Sequence, residues 1–295
     1  MAMYDVMIVG AGPAGLSAAV NCRVRNKSTV VVSRKFESPS LSKAPLIENY
    51  LGVDAMSGRE LYQRLLEHAR RSGAEFLEAN VTGIYDMGDS YAALTSAGDV
   101  SAVAVILATG TVQSASIPGE SDKVGMGVSY CATCDGPLYK GKRVVVVGFS
   151  PHAVEEANFL SEICSEVTYV PASRGGSDVS HLKPAVNLAK GSVKAILGDM
   201  AVSGVELDSG IVETDGVFVI RESVPAERLV EGITVKDGAI EVDRDMFTGV
   251  PRVFAAGDCT GRPWQVARAV GQGQVAALSA ARAVDKFKAS GQADQ

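Results

Sequence analysis

One pattern constrains this chain more than any other: a strand, a glycine turn, a helix and a second strand, occurring twice. Tyr4 to Val9 is an apolar run that ends in Gly10; helical spacing follows from Leu16 to Val24, then the β-branched run Thr29 to Val32. Arg143 to Val147 ends in Gly148 and leads through a helical segment, Ala153 to Ile163, to Glu166–Val170. Neighbouring parallel strands need a long crossover, and a helix is the usual one, so each stretch reads as a βαβ unit. The expected fold class is α/β with two Rossmann-like dinucleotide-binding domains. Val100 to Leu107 is a further strand, closing with Ala108-Thr109-Gly110, and residues 111–119 read as a linker ending in Ile117-Pro118-Gly119. Arg252 to Ala256 leads to Gly257-Asp258, then to a helical pattern from Gln265 to about Phe287 and a frayed polar tail, Ser290 to Gln295. The first domain is therefore expected to be discontinuous, residues 1–113 with 245–295, and residues 114–244 to form a domain inserted between its halves.

Composition narrows the functional classes. The chain has 295 residues, 46% apolar and 21% charged, enough to bury a large core. No apolar run reaches the ~18 residues of a membrane span, and no charged leader precedes an apolar segment with a cleavage site. A net charge of −6 argues against nucleic acid as a partner. Five cysteines are too few, and odd in number, for a secreted disulfide scaffold, which points to a reducing compartment, the cytoplasm.

Gly10-Ala11-Gly12-Pro13-Ala14-Gly15 is a G-x-G-x-x-G element between a strand and a helix. Gly10 permits the tight turn, Gly12 lets backbone approach a pyrophosphate, and Gly15 lets helix and strand pack closely. The helix N-terminus then offers N–H groups and a positive dipole end to phosphate. A purely structural turn is the plain alternative. The carboxylate that usually holds the adenosine ribose ~20 residues on is absent after Val32-Ser33-Arg34, and Glu37 comes late. Ser33 is the candidate there. Asp258, directly after a strand and glycine, is either a ligand-binding carboxylate or a helix cap.

Tyr130-Cys131-Ala132-Thr133-Cys134-Asp135-Gly136 is the sharpest element. Cysteines at i and i+3 share one face of a helical turn, close enough for a small disulfide ring. Zinc would need two more ligands; there is no second C-x-x-C, and His68, His152 and His181 are not at ligand spacing. Redox exchange is the favoured reading, an inert buried pair the bland one. Asp135 is a candidate general acid, since an expelled thiolate takes a proton, or else a capping carboxylate. Cys22, Cys164 and Cys259 read as packing residues, the first two within apolar helical segments.

Taken together, Gly10 to Gly15, Glu48-Asn49-Tyr50, Ala108-Thr109-Gly110, Cys131 to Gly136 and Ala255-Ala256-Gly257-Asp258 resemble the low-molecular-weight thioredoxin reductase family over nearly the whole chain. The resemblance implies a split FAD domain interrupted by a domain carrying C-x-x-C. It implies FAD, with Gly10, Gly12, Pro13, Ala14 and Gly15 at the pyrophosphate. Ser33 and Ser40 would lie near the adenosine and ribityl region, Asn49 near the isoalloxazine, with Thr109 and Gly110 among the cofactor-binding residues. Gly257 and Asp258 would hold the ribityl chain, with Trp264, Gln265 and Val266 near the ring. It implies that Cys134 faces the flavin, that Cys131 attacks the disulfide of thioredoxin, that Asp135 donates the proton, and that the protein is a homodimer. Two departures stand out: Ser38-Pro39 replaces a glycine pair before Ser40, and Trp264 replaces an arginine before Gln265.

The second glycine turn breaks the pattern of the NADPH-using members. Gly148-Phe149-Ser150-Pro151-His152-Ala153 has serine in place of the glycine that admits a pyrophosphate, and Pro151 removes a backbone N–H. Val170-Pro171-Ala172-Ser173-Arg174-Gly175-Gly176 has one arginine where those members cluster basic residues, and Arg221-Glu222 falls where they have a glycine turn. Three changes in one site point to loss of NADPH binding. Arg25-Asn26-Lys27-Ser28, Lys140-Gly141-Lys142, Asp258-Cys259-Thr260-Gly261 and Val270-Gly271-Gln272-Gly273-Gln274 resemble the ferredoxin-dependent flavin thioredoxin reductases. Residues 21–43 hold six basic residues (Arg23, Arg25, Lys27, Arg34, Lys35, Lys43) against Glu37, a local +5 that would steer an acidic ferredoxin, or else simply a solvated face. The expectation is a ferredoxin-fed flavoprotein reductase of thioredoxin. An NADPH-dependent enzyme, one fed by a deazaflavin, and a non-catalytic flavin redox sensor are the alternatives.

Overall fold

The computed structural model describes residues 3–36, 38–111, 117–150, 152–172, 178–221 and 224–293, without the side chains of residues 39, 40, 134 and 291–293. The chain divides into two compact units, Met1–Thr111 with Pro225–Gln295, and Val112–Val224.

The first unit begins with β1 (Met3–Val9), α1 (Pro13–Val24) and β2 (Thr29–Ser33). Short α2 (Pro39–Ser42) and amphipathic α3 (Gly58–Arg71) follow. Ser57 and Glu60 cap α3 reciprocally, each side chain bonding the other's backbone N–H, which fixes its start. β3 (Glu75–Glu78), β4 (Val81–Asp86), β5 (Tyr91–Thr95) and β6 (Val100–Leu107) complete the first segment.

The second unit holds β7 (Val128–Ser129), α4 (Ala132–Asp135), β8 (Arg143–Gly148), α5 (Ala153–Leu160) and β9 (Glu166–Pro171). It continues with β10 (Val186–Leu188), β11 (Val193–Leu197), β12 (Gly204–Leu207), β13 (Gly210–Glu213) and β14 (Gly216–Ile220). The parallel sheet runs β10-β9-β8-β14-β7, and β11-β12-β13 form a separate antiparallel sheet. Val144, Val146, Tyr169 and Phe218 pack one face of the parallel sheet on α5, while Val145, Val147, Val217 and Val219 pack the other on β12. Such two-sided burial explains why these strands are continuous apolar runs.

The chain then returns to the first unit through α6 (Ala226–Leu229), β15 (Val235–Lys236), β16 (Ala239–Ile240), β17 (Val253–Ala255) and α7 (Val266–Ala293). Its sheet runs β3-β2-β1-β6 in parallel. β6 has two partners on its far side: Val100–Ala102 pair antiparallel with β5, and Val105–Leu107 pair parallel with β17. Packing of α7 on α1 is close, for a Cβ at Gly273 would lie 2.1 Å from the Ala14 carbonyl oxygen.

Three expected boundaries differ. The return to the first unit falls at Pro225 rather than near residue 245. A β-bridge from Val230 to Ile84 holds that segment against β4. α5 stops at Leu160, not Ile163, and Cys164 lies in the turn beyond it. There the Ile163 carbonyl accepts from Gly141 N–H and Ser165 N–H donates to Lys142, so the backbone is diverted from helix into a loop pairing. α7 runs to Ala293 instead of ending near Phe287 ahead of a frayed tail from Ser290. Lys288 Nζ donates to Asp5 Oδ1 at 2.5 Å, and Lys27 pairs with Asp285, tying its last turns to β1 and to the end of α1.

Candidate functional site

The first glycine turn joins the C-terminal edge of β1 to α1. Gly10 sits at φ +111°, and a Cβ there would lie 2.2 Å from the Ala108 carbonyl oxygen; one at Gly15 would lie 2.0 Å from that of Gly10. Those two glycines are demanded by the fold itself. Gly12 is different: an added Cβ meets nothing within 4 Å. It caps α1 without any side-chain bond, and Pro13 occupies the first helical turn. The open side of Gly12 and the uncapped helix end suit an anionic ligand. Buried Tyr62 donates to the Ala11 carbonyl at 3.1 Å and braces the turn from behind.

Gly257-Asp258 lies beside this turn, since a Cβ at Gly257 (φ +87°) would come 2.8 Å from Ala14 Cβ. Half-buried Asp258 has its carboxyl pushed up by burial, with Arg268 opposing that shift. Arg268 itself bonds the Gly261 carbonyl at 2.6 Å. Gln272, not singled out as a site residue by sequence reasoning, accepts from Gly257 N–H at 3.0 Å and also meets Thr260 Oγ1 at 3.0 Å. It sits a full helical turn or more into α7, so only the fold reveals its role.

Other candidates spread around the same unit. Thr109 and Gly110 follow β6, whose last residue, Leu107, accepts from the buried Cys259 thiol at 3.5 Å. Exposed Asn49 donates to Gln265 Oε1 at 3.2 Å, joining two loops far apart in sequence. Trp264 is exposed with the Arg262 guanidinium 4.5 Å from its ring, while Val266 packs on the core at the start of α7. Ser33 donates to the Lys35 carbonyl at 2.8 Å. Ser40 falls in α2, its side chain outside the described set, and Glu37 lies outside the described residues. Among the basic residues of 21–43, Arg25, Lys35 and Lys43 are exposed, but Arg23 bonds the Lys27 carbonyl and Lys27 is paired with Asp285. The solvent-facing charge of that stretch is thus smaller than its formal +5.

In the second unit, Cys131 immediately precedes α4; it is buried, disulfide-bonded, and its Sγ lies 3.4 Å from Thr133 Oγ1. Cys134 belongs to α4, its side chain outside the described set. Asp135 closes α4 and accepts from Ser129 Oγ at 2.6 Å. Tyr139 stands near it, its phenol pushed up by burial and further by the Asp135 charge. Cys22 and Cys259 are free and buried, their thiols pushed up by burial to about 12 and about 11. Cys164 is free and half-buried, also shifted upward by burial.

The second glycine turn is filled by protein. A Cβ at Gly148 would lie 2.3 Å from the Tyr169 hydroxyl, so the tyrosine ring packs directly on that glycine. Ser150 is fully buried, its hydroxyl without a hydrogen-bond partner among the described residues. At the end of β14, Arg221 is buried, lies 4.7 Å over the Phe149 ring and pairs with Glu120. Glu120 also accepts from Tyr130 Oη at 2.9 Å. Pro151, residues 173–177 and Glu222 lie outside the described residues.

Among the described residues, no helix is long and apolar enough to cross a membrane. The family model for pyridine nucleotide-disulphide oxidoreductases matches residues 4–273. A thioredoxin reductase of Bacillus subtilis is 34% identical over 97% of this chain and 96% of its own. A ferredoxin-flavin thioredoxin reductase structure from Clostridium acetobutylicum superposes with TM-score 0.89 at 42% identity, covering 98% of this chain and 99% of that one. A thioredoxin reductase structure from Gloeobacter violaceus gives 0.79 at 34% identity, covering 97% and 95%.

Proposed function

Because the chain belongs to the pyridine nucleotide-disulphide oxidoreductase family, as a flavin-dependent thioredoxin-disulfide oxidoreductase, we propose that its electrons come from a reduced ferredoxin rather than from NADPH. The observation that carries this reading is the buried Ser150. A dinucleotide pyrophosphate must touch backbone at this position of the turn, and here that backbone lies under protein. Tyr169 on Gly148 and the Arg221–Phe149 stack crowd the same end of the sheet. Similarity to a ferredoxin-flavin thioredoxin reductase points the same way.

FAD is the cofactor, and its chemistry, accepting electrons singly and passing two to a disulfide, suits a one-electron donor. We assign its pyrophosphate to the open backbone of Gly12 with Pro13, Ala14 and Gly15, on the turn shaped by Gly10. Gly257, Asp258, Thr109 and Gly110 stand beside that turn, and we assign Asn49, Trp264 and Gln265 of the loops and Val266 at the start of α7 to the ring. Ser33 and Ser40 are assigned to the adenosine and ribityl side.

In the second unit, Cys131 and Cys134 form the exchanging dithiol. Cys131 thiolate attacks the thioredoxin disulfide, one S–S bond forming as another breaks. Cys134 then displaces the second sulfur, and Asp135 supplies a proton to the expelled thiolate. We place the enzyme in a reducing cytoplasm, as a homodimer.

The donor is tested by mixing the purified oxidised holoprotein anaerobically with NADPH, with a reduced deazaflavin, or with reduced ferredoxin, and following flavin absorbance. Ferredoxin should bleach it within turnover time and NADPH should not. Rapid bleaching by NADPH alone defeats the proposal, and bleaching by deazaflavin but not ferredoxin assigns a different donor.

A further inference from the structure

Ser129 is a buried hydroxyl that neither composition nor motif singled out. Its Oγ donates to Asp135 Oδ2 at 2.6 Å, accepts from Cys131 N–H at 3.1 Å, and has a second, longer acceptor in the Cys131 carbonyl at 3.3 Å. The Cys131 carbonyl in turn accepts from Asp135 N–H at 3.1 Å. One serine side chain therefore fastens both ends of the five-residue turn that carries the cysteine pair. β7 supplies it, and β7 is held in the sheet by pairing with β14.

We propose that Ser129 is the positioning residue for proton delivery during dithiol–disulfide exchange. The inference rests on the reading of Asp135 as the proton donor. A serine hydroxyl has a single proton, and the carboxylate oxygen Oδ2 at 2.6 Å takes it over the Cys131 carbonyl at 3.3 Å. The carboxyl proton is then carried on Oδ1, the oxygen that Ser129 leaves open. When a thiolate of thioredoxin is expelled, the O–H bond at Oδ1 breaks, an S–H bond forms, and Asp135 remains as a carboxylate stabilised by Ser129. Electrons move only between sulfurs: Cys131, entering as thiolate, and Cys134 are oxidised to a disulfide as the thioredoxin disulfide becomes two thiols, and the proton that Cys134 loses on attack goes to the second thioredoxin sulfur. The carboxylate is reprotonated from solvent before the next turnover. Without Ser129, the carboxyl would rotate, and either oxygen would bear the proton in either direction.

A double-mutant cycle on the holoenzyme tests this, using Ser129→Ala, Ser129→Thr, Asp135→Asn and the Ser129→Ala/Asp135→Asn double variant. Three readouts are taken: thioredoxin-disulfide reduction, flavin reduction by the donor, and rescue of thioredoxin reduction by added imidazolium as an external acid. Asp135→Asn should slow thioredoxin reduction about 100-fold, at the low end for general acid catalysis. Ser129→Ala should slow it about 10-fold, leave flavin reduction unchanged and respond to imidazolium. Ser129→Thr keeps the hydroxyl and should restore at least half of the activity. The double variant should be no slower than Asp135→Asn, because Ser129 acts only through that carboxyl. An undiminished Asp135→Asn overturns the proton-donor reading, and this proposal with it. A slow Asp135→Asn with a wild-type Ser129→Ala, or with losses that multiply in the double variant, overturns the role of Ser129 alone. So does a Ser129→Ala defect that imidazolium leaves untouched.

Discussion

Arg221 and Glu120, 101 residues apart in the chain, meet as a two-pronged buried ion pair, Nη1 to Oε1 at 2.5 Å and Nη2 to Oε2 at 2.7 Å. Both side chains are more than nine-tenths buried. Glu120 Oε2 also accepts from Ile117 N–H at 2.8 Å, and Oε1 from Tyr130. Breaking such a pair strands a charge in a dry site, whereas removing both partners does not. Arg221→Met should therefore lower the urea-unfolding free energy by about 3–5 kcal/mol. The Arg221→Met/Glu120→Met double variant strands no charge and should recover part of that loss, the remainder being the acceptor taken from Ile117 N–H and the Tyr130 hydroxyl. A single variant within ~1 kcal/mol of wild type, which is the range of an exposed pair, contradicts the picture.

The three glycines of the first turn should separate fold from cofactor. Gly15→Val would drive a side chain into the Gly10 carbonyl, 2.0 Å from the new Cβ, and should yield little folded protein. Gly12→Val adds its methyls to open space and leaves the folded chain undisturbed. It should nonetheless cut the flavin retained per protein by at least about tenfold, because the pyrophosphate needs that backbone bare. Far-UV circular dichroism checks folding and the visible flavin band checks loading. Full flavin content in Gly12→Val would remove Gly12 from the binding site.

The contrast between these two sets of residues shows what a sequence alone discloses. The requirement for glycine at Gly10 and Gly15 arises from contacts within a local strand–turn–helix unit, so spacing announces it. The same holds for the Cys131–Asp135 turn. Ser129 and Glu120 carry no such mark, and Arg221 stands out only as a charged residue in place of a glycine turn, with nothing to name its partner. A serine in a two-residue strand is unremarkable, and the ion pair closes only when the β14 end meets the segment after the linker. The end of α5 at Leu160 was hidden for a similar reason, since Gly141 and Lys142, not the helix sequence, divert its last residues. The early return at Pro225 follows from the bridge of Val230 to Ile84, a partner far back in the chain.

The free thiols yield a pH prediction. Burial raises Cys22 to about 12 and Cys259 to about 11, against 9.0 for an unperturbed thiol. A group whose pKa rises on folding stabilises the fold fully below its unfolded value, and loses that contribution as pH climbs through the folded one. Urea midpoints should therefore vary little with these thiols up to pH 8.5 and fall between pH 9 and about 12. The Cys22→Ala/Cys259→Ala double variant should flatten that decline. In the native protein at pH 8, iodoacetamide should leave both cysteines unmodified by mass spectrometry. Rapid native labelling of either would show that its thiol is not sequestered.

Charge reversal tests how the donor docks. Arg25, Lys35 and Lys43 are the exposed cations of the basic stretch, while Arg23 and Lys27 are engaged within the chain. If an acidic ferredoxin is steered by this region, Arg25→Glu/Lys43→Glu should lower kcat/KM for ferredoxin about tenfold at low salt. The deficit should shrink toward twofold near 0.5 M NaCl, where the Debye length falls to about 4 Å and long-range steering is screened. Activity with a small neutral reductant in place of ferredoxin should be unchanged, since these side chains lie outside the assigned cofactor contacts. Equal losses with both donors would assign the effect to folding or flavin binding, and no loss with ferredoxin would place its docking surface elsewhere on the molecule.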